Sequence, residues 1–333
     1  YARSVMSNDD FAALVKKNLE AEIDASDLQE SVLNRFLSHL HYVSGQYDSA
    51  DDFKNLKNEV ETLATEFPST PKTLYYLSIP PSVFGPVITS LKESGSVVKG
   101  PDSLESVIVE KPFGYDTDSA KELNAKLYEA FDEEQIYRID HYLGKEAVQN
   151  LMVLRFANII FEPIWNKKYV DSVVVAWAED KHIGSRGGYF DEAGIIRDVI
   201  QNHLLQILAL VAMEKPATLK SKDICAEKIK ALKSIPVANI EDVVLGQYTD
   251  GVCAGKSVIG YRKEESVPSD SKRDTYALIK FDVNNERWDG VPFYLRAGKA
   301  LTKSTTEIVI NFKEVEDDIF AGIATHKPNK LII

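Results

Sequence analysis

His203 is the first residue whose surroundings point to chemistry. The segment 186–203 opens with Gly187 and Gly188 and continues in an apolar helical pattern. His203 shares a stripe of that pattern with Val199 and Ile200, so its imidazole faces apolar neighbours. Two interpretations of His203 are open at this point. It is a core histidine with one hydrogen-bond partner, or it is a general base. A half-buried imidazole suits the second role because it can abstract a proton near neutral pH.

A histidine base needs an acceptor that fixes its orientation. Asp198 is a poor candidate, because five residues of α-helix separate it from His203 by roughly 140° of rotation and about 7.5 Å of rise. The acceptor is therefore expected from another element. Asp140, which precedes a second helix with polar residues at its start, is the candidate.

Basic residues follow Asp140 directly. Asp140 is predicted to cap a helix that runs through Val148 and Leu151, with His141 and Lys145 four residues apart on one face. A helix N-terminus with two added cations would suit a phosphate group. The alternative is a capped helix that carries two solvated basic side chains.

Two further lysines stand at predicted strand ends. Lys111 precedes Pro112, which predicts an extended or cis junction that holds the lysine at the end of its strand. Lys299 follows another strand and could point into a cleft. An ordinary lysine at a turn is the alternative for each.

The first part of the chain has the pattern of a doubly wound sheet. Three helical stripes occupy the first 70 residues, and strands with intervening helices are predicted near 74–79, 106–109 and 135–139. The β-α-β-α-β order predicts a parallel sheet whose ligands bind beyond the carboxyl ends of the strands.

The second part of the chain changes character near residue 140. A long apolar helix is predicted at 195–213. Strands without intervening helices then follow at 243–248, 276–283, 293–296 and 307–312. This order predicts an α+β domain with a mainly antiparallel sheet.

Composition excludes several classes of protein. The 51 acidic residues exceed the 39 basic ones, and the net charge of −12 argues against broad nucleic-acid binding but not against one phosphate site. No apolar run approaches the ~20 residues of a membrane span. The two cysteines, Cys225 and Cys253, indicate a reducing compartment. His39 and His41 diverge on a predicted helix, so we expect no metal site.

Several blocks of sequence resemble the glucose-6-phosphate dehydrogenases. They are EKPFG at 110–114, RIDHYLGKE at 138–146, the segment 187–203 and NERWDGVP at 285–292. The similarity runs through nearly the whole chain. It implies NADP-dependent oxidation of glucose 6-phosphate at C1 to 6-phosphoglucono-1,5-lactone, the first step of the oxidative pentose phosphate pathway.

The resemblance also implies a role for each candidate residue. His203 resembles the general base and Asp140 its carboxylate partner. The residues that resemble substrate ligands are Lys111, His141, Tyr142, Lys145, Glu179, Asp198 and Lys299. Those that resemble cofactor ligands are Arg3, Phe84, Lys111 and Arg296. Phe84 and Ser304 depart from the tyrosine and arginine of other members, which leaves Phe84 only a backbone contact with the cofactor.

The resemblance implies an incomplete Rossmann-like NADP domain at 1–140 and a substrate and dimerisation domain at 141–333. No G-x-G-x-x-G fingerprint occurs, and the family's first strand and glycine loop are expected ahead of Tyr1. The larger domain is expected to continue past Ile333. We therefore expect a fragment that is inactive alone.

The expected setting is a cytoplasmic homodimer or homotetramer that binds neither nucleic acid nor membrane. Two other functions use the same residues. A sugar-phosphate isomerase would need the base and phosphate ligands without a nicotinamide, and a phosphosugar-binding module would need no base.

Overall fold

A parallel three-stranded sheet organises the first of two compact units, Tyr1–Ile139. The computed structural model describes residues 1–69, 71–253, 255–315, 319 and 328–333. The strands of this unit are β1 (Thr73–Leu77), β2 (Glu105–Glu110) and β3 (Ile136–Ile139), and the helices are α1 (Asn8–Glu22), α2 (Glu30–Leu37), α3 (Ala50–Ala64), α4 (Phe84–Glu93) and α5 (Thr117–Ala130). The order β1-β2-β3 confirms the predicted parallel sheet.

The core of this unit lies between β2 and its helices. Val107 and Val109 are fully buried in β2, and they belong to the same cluster as Leu91 of α4 and Leu127 of α5. Burial alternates along the three strands, and the other face of the sheet carries exposed side chains such as Leu74, Tyr76 and Tyr137. The carboxyl end of β2 therefore sits on a rigid support.

A mixed six-stranded sheet organises the second unit, Asp140–Ile333. Its strand order is β11-β10-β4-β9-β8-β5, and of these neighbours only β4 and β9 run parallel within the described residues. The strands are β4 (Val170–Ala178), β5 (Val243–Gly246), β8 (Tyr276–Phe281), β9 (Phe293–Gly298), β10 (Thr305–Phe312) and β11 (Lys330–Ile332), and a separate hairpin pairs β6 (Gly251–Cys253) with β7 (Lys256–Val258). The prediction of a mainly antiparallel sheet is confirmed.

The long helix predicted at 195–213 is not a continuous α-helix. The helical residues are divided among α6 (Glu146–Phe156), α7 (Gly187–Ile195), a π-helical segment (Ile196–Leu204), α8 (Leu205–Ala212) and α9 (Ser221–Lys233). Gly194 breaks the helical path with φ +72° and ψ 168°, a backbone conformation that favours glycine. In the π segment each hydrogen bond spans five residues instead of four. Residues five apart are therefore brought toward the same side.

The helical stretch Gly184–Ala212 is long and apolar enough to cross a membrane by length and composition alone, and the expected absence of a membrane partner stays a prediction. Its most apolar window is 67% buried inside the protein. Ile200, Leu204 and Ile207 contribute to the main cluster of the second unit. A helix buried in a protein core meets the same criteria of length and composition as a membrane span.

Two adjacent glycines, Gly187 and Gly188, offer a matched test of how the start of α7 packs against residues 265 and 266. A Cβ on Gly187 would lie 2.0 Å from the Glu265 carbonyl oxygen, whereas a Cβ on Gly188 would have Ser266 Cβ as its nearest neighbour, at 3.7 Å. We expect Gly187→Ala to destabilise by about 1–3 kcal/mol through overpacking. Thermal unfolding should report this as a Tm lowered by about 2–4 °C per kcal/mol. Gly188→Ala is the control and should keep or slightly raise the Tm, and equal losses in both variants would contradict the packing argument.

Candidate active site

A hydrogen bond between Asp140 and His203 forms the centre of the site. His203 Nδ1 lies 2.7 Å from Asp140 Oδ1, and the imidazole is 2% exposed. A carboxylate can only accept, so Nδ1 carries a hydrogen, and in the neutral imidazole Nε2 then keeps its lone pair. The arrangement leaves His203 with one nitrogen able to take a proton.

Asp140 is itself held in place by the backbone that follows it. Its Oδ1 also accepts a hydrogen bond from the Tyr142 amide at 2.9 Å, as an N-cap does. Its Oδ2 is buried and has no hydrogen-bond partner in the described part of the chain. Lys228 of α9 lies near enough to interact electrostatically with Asp140, while burial lowers the pKa of that lysine.

The predicted helix after Asp140 is wrong in its first turn. Residues His141–Gly144 form a short 3₁₀ turn, Lys145 is extended with φ −68° and ψ 133°, and α6 begins at Glu146. His141 and Lys145 are therefore not four apart on one α-helical face. Both side chains are exposed, and the short turn places the His141 ring against His203 with centroids 4.7 Å apart.

Tyr142 contacts both His203 and the basic residue Lys145. Its ring stacks on His203 with centroids 4.2 Å apart and 21° between planes, and Lys145 Nζ lies 3.8 Å from the Tyr142 ring centroid. Burial raises the pKa of Tyr142 to about 12, while the neighbouring polar groups of Trp177 and Thr306 act to lower it. Partial burial lowers the pKa of Lys145, and nearby Glu179 opposes that change. The phenol is thus neutral at physiological pH.

Asp198 lies on the same π-helical segment as His203. The argument from five residues of α-helix fails because residues 196–204 are π-helical. Both side chains are buried, with Asp198 7% exposed. Tyr189 hydrogen-bonds to Asp198, and burial and this carboxylate raise the pKa of the tyrosine.

An ion pair between Glu179 and Lys299 follows the two parallel strands β4 and β9. Lys299 Nζ lies 2.6 Å from Glu179 Oε2 and 4.8 Å from the centroid of the Trp177 ring. The Glu179 amide donates to the Gly298 carbonyl at 3.0 Å, which fixes the two strand ends together. The structure therefore brings these residues together as a pair.

Arg296 lies on β9 opposite Ala176 of β4. Its Nε is buried and has no hydrogen-bond acceptor among the residues described. A buried guanidinium N–H without an acceptor is costly. The Arg296 guanidinium is therefore suited to hydrogen-bond an anionic ligand.

The remaining predicted ligands lie in the first unit. Lys111 follows β2, is half-buried and precedes a cis peptide bond to Pro112. Arg3 is exposed, with its guanidinium 5.3 Å from the centroid of the Tyr47 ring. Phe84 is the first residue of α4 and is 1% exposed in the core. Only the backbone of Phe84 is therefore available to a ligand.

Comparison with known proteins decides the family. A family model described as the NAD binding domain of glucose-6-phosphate dehydrogenase matches residues 1–150, and one described as its C-terminal domain matches residues 152–333. The chain belongs to the glucose-6-phosphate dehydrogenase family. The recognition made from its sequence blocks is thereby confirmed.

Individual members of the family are similar over nearly the whole chain. A glucose-6-phosphate 1-dehydrogenase of Caenorhabditis elegans is 46% identical over 323 residues, covering 96% of this chain and 61% of its own length. A cytoplasmic one of Arabidopsis thaliana is 45% identical, with 96% and 60% covered. This chain thus spans about three fifths of the length of these relatives.

Solved structures of the family superpose closely. A glucose-6-phosphate dehydrogenase in complex with its substrate glucose-6-phosphate has a TM-score of 0.90 and 42% identity, covering 100% of this chain and 67% of its own. The glucose-6-phosphate 1-dehydrogenase from Mycobacterium avium has a TM-score of 0.84 and 34% identity, covering 99% of this chain and 69% of its own.

Three of these site residues also supply atoms of the kind that bind metals. Possible ligand atoms of Asp140, His141 and His203 lie within 4.8 Å of one another. Tetrahedral zinc with bonds of about 2.0–2.1 Å needs ligands only about 3.4 Å apart. Because His203 Nδ1 is already bonded to Asp140, the hydrogen-bonded pair is the better explanation. The absence of a metal site stays a prediction.

The sequence analysis did not identify several residues that line the site. Trp177, Tyr189, Thr306 and Lys228 all contact or face the predicted ligands. Trp177 stands two residues before Glu179, and residues two apart share one face of a strand. That spacing was the available signal for Trp177, whereas the others depend on tertiary contacts.

The raised pKa of Tyr142 predicts how the site responds to alkali. The unfolded chain ionises this phenol near pH 10 and the folded chain near 12, so stability is lost as pH rises through that window. Ionised tyrosine absorbs at 295 nm, so we expect wild type and Tyr142→Phe to differ in this absorbance only near pH 12. In denaturant the same difference in absorbance should appear near pH 10. A difference near pH 10 in the folded proteins would contradict the burial of the hydroxyl.

Proposed function

We propose that this protein is an NADP-dependent glucose-6-phosphate 1-dehydrogenase. The observation that carries the proposal is the buried His203, whose Nδ1 is bonded to Asp140 and whose Nε2 is left as the base. Membership of the family supports the substrate and the reaction. The product is 6-phosphoglucono-1,5-lactone, which makes the reaction the first step of the oxidative pentose phosphate pathway.

The substrate phosphate is assigned to the exposed basic residues beside Tyr142. His141 and Lys145 supply charge-assisted hydrogen bonds, and the Tyr142 hydroxyl stays neutral and able to donate. The sugar hydroxyls are assigned to Glu179 and Asp198. Carboxylates accept from hydroxyl groups, and both lie in the second unit with the base.

Lysines orient the sugar in this proposal. The Glu179 carboxylate holds Lys299 at 2.6 Å, so its ammonium is preorganised for a hydroxyl oxygen. Lys111 at the end of β2 is proposed as a second such lysine, beside the nicotinamide. Its half-buried position after a rigid strand suits a fixed role.

The proton step uses the nitrogen that Asp140 leaves free. His203 Nε2 takes the proton of the C1 hydroxyl, which builds alkoxide character at that oxygen. The imidazolium that results is stabilised by Asp140 on Nδ1 and by the face of Tyr142 at 4.2 Å. General-base assistance of this kind contributes about 10²- to 10⁴-fold.

The cofactor NADP accepts the hydride when bound. Arg3 fits its 2′-phosphate, because an exposed planar guanidinium forms bidentate bonds with phosphate. The orphaned Nε of Arg296 also fits an anionic group of the cofactor. The backbone at Phe84 and the Lys111 side chain complete the proposed set.

Domain roles and setting follow the same proposal. The unit 1–139 corresponds to the cofactor domain and 140–333 to the substrate and dimerisation domain. Relatives of the chain include cytoplasmic and chloroplastic forms, and we retain the cytoplasmic setting. Assembly as a homodimer or homotetramer also stays a prediction.

Absorbance at 340 nm separates this function from the alternatives. The whole protein should form NADPH when given glucose 6-phosphate and NADP⁺, which neither an isomerase nor a phosphosugar-binding module would do. His203→Asn should lower kcat by about 10²- to 10⁴-fold because the base is lost. Substrate binding measured by calorimetry should survive, and near-normal turnover would remove His203 from the role.

Lys145 tests the phosphate assignment. Lys145→Ala should raise the KM for glucose 6-phosphate by about 10- to 100-fold, since a hydrogen bond to a charged group contributes about 1.5–3 kcal/mol. The KM for NADP⁺ should change little. Lys303, which is paired with Glu307, provides a control of the same type, and an unchanged KM in Lys145→Ala would contradict the assignment.

A further inference from the structure

We propose that Trp177 is a positioning residue that links the phosphate side of the substrate pocket to the sugar side. The inference rests on the proposed function and assigns a role to a residue outside the catalytic and substrate set described above. Trp177 holds Tyr142 through its indole N–H and supports Lys299 through its ring face.

The fold presents Trp177 at the end of the central strand β4. Its register partners are Thr306 on β10 and Ala297 on β9, so strands flank it on both sides. Its side chain is 6% exposed. Alternation along the chain directs Trp177 to the same side as Glu179, two residues later.

The first contact is polar. The Trp177 indole lies within interaction range of the Tyr142 hydroxyl, and its Nε1–H is the only hydrogen-bond donor that it can offer there. Thr306, the register partner of Trp177, also lies beside this hydroxyl and accepts a hydrogen bond from Lys145 Nζ at 3.5 Å. Two polar side chains on neighbouring strands thus face the hydroxyl of Tyr142, whose ring is stacked on His203. Loss of the indole N–H would loosen the ring.

The second contact is a cation–π interaction. Lys299 Nζ lies 4.8 Å from the Trp177 ring centroid and 5.8 Å from that of Phe190, while it is bonded to Glu179. Tryptophan is the best aromatic partner for an ammonium, and the interaction gains strength in a desolvated site. The indole face therefore restricts where this ammonium can lie.

Both contacts belong to one side chain, and this distinguishes Trp177 from the other tryptophans. Trp165 and Trp288 are fully buried, and their indole N–H groups donate to the backbone carbonyls of Val211 and Ala212 at 2.9 Å each. These interactions hold the core of the unit. Trp288→Phe is therefore a matched control that removes an indole N–H without touching the proposed ligands.

The experiment compares Trp177→Phe with Trp288→Phe in the whole protein. Trp177→Phe should raise the KM for glucose 6-phosphate by about 3- to 10-fold, as the loss of one hydrogen bond predicts, with the KM for NADP⁺ nearly unchanged. Trp288→Phe should lower the Tm and leave both KM values unchanged. The same rise in KM in both variants, or none in Trp177→Phe, would overturn the proposal.

A double-mutant cycle isolates the polar contact. In a Tyr142→Phe background the hydroxyl is absent, so adding Trp177→Phe should raise KM by less than the 3- to 10-fold expected in the wild type. An undiminished effect in that background would show that the indole N–H does not act through Tyr142.

Failure of the proposed function gives a different result. The wild type would then form no NADPH from glucose 6-phosphate, and both proposals would fall together. Wild-type turnover with an unchanged KM in Trp177→Phe would overturn only the role of Trp177.

Discussion

The hydrogen bond between Asp140 and His203 is the constraint on which the site depends. It connects the residue directly after β3 to the middle of a buried helical stretch, 63 positions along the chain. Asp140 also caps the turn that carries His141 and Tyr142, so one carboxylate orients both the proposed base and the first of the proposed phosphate ligands. A change at this carboxylate would therefore reach both parts of the pocket.

The π-helical segment explains how one element supplies two buried polar side chains. An α-helix would turn Asp198 and His203 about 140° apart, so that the two side chains would face different sides of the element. In residues 196–204 both are buried, at 7% and 2% exposure, among the apolar neighbours that keep the segment in the core. π segments are often found at functional sites, because they reorient side chains that an α-helix would separate.

The parts that could be predicted from sequence are those encoded by local pattern. Apolar runs and their order were enough to predict the parallel sheet and the mainly antiparallel sheet, and the position of Asp140 ahead of a helix was enough to make it the candidate acceptor, since burial and capping act over a few residues. The π segment, the 3₁₀ turn at His141–Gly144 and the position of Trp177 beside Tyr142 could not be predicted in this way. The turn ends at the extended Lys145, and the position of Trp177 is set by strand register, neither of which local pattern encodes.

The side chains of the proposed pocket support one another rather than standing as separate ligands. Tyr142 contacts His203, Lys145 and Trp177, and Trp177 in turn contacts Lys299, which is bonded to Glu179. Side chains that share a rigid neighbour lose less conformational entropy when substrate binds, because folding has already fixed their positions. This explains why aromatic residues stand between the charged ones. Their rings fill space, exclude water and still stabilise cations, which aliphatic side chains of similar size would not do.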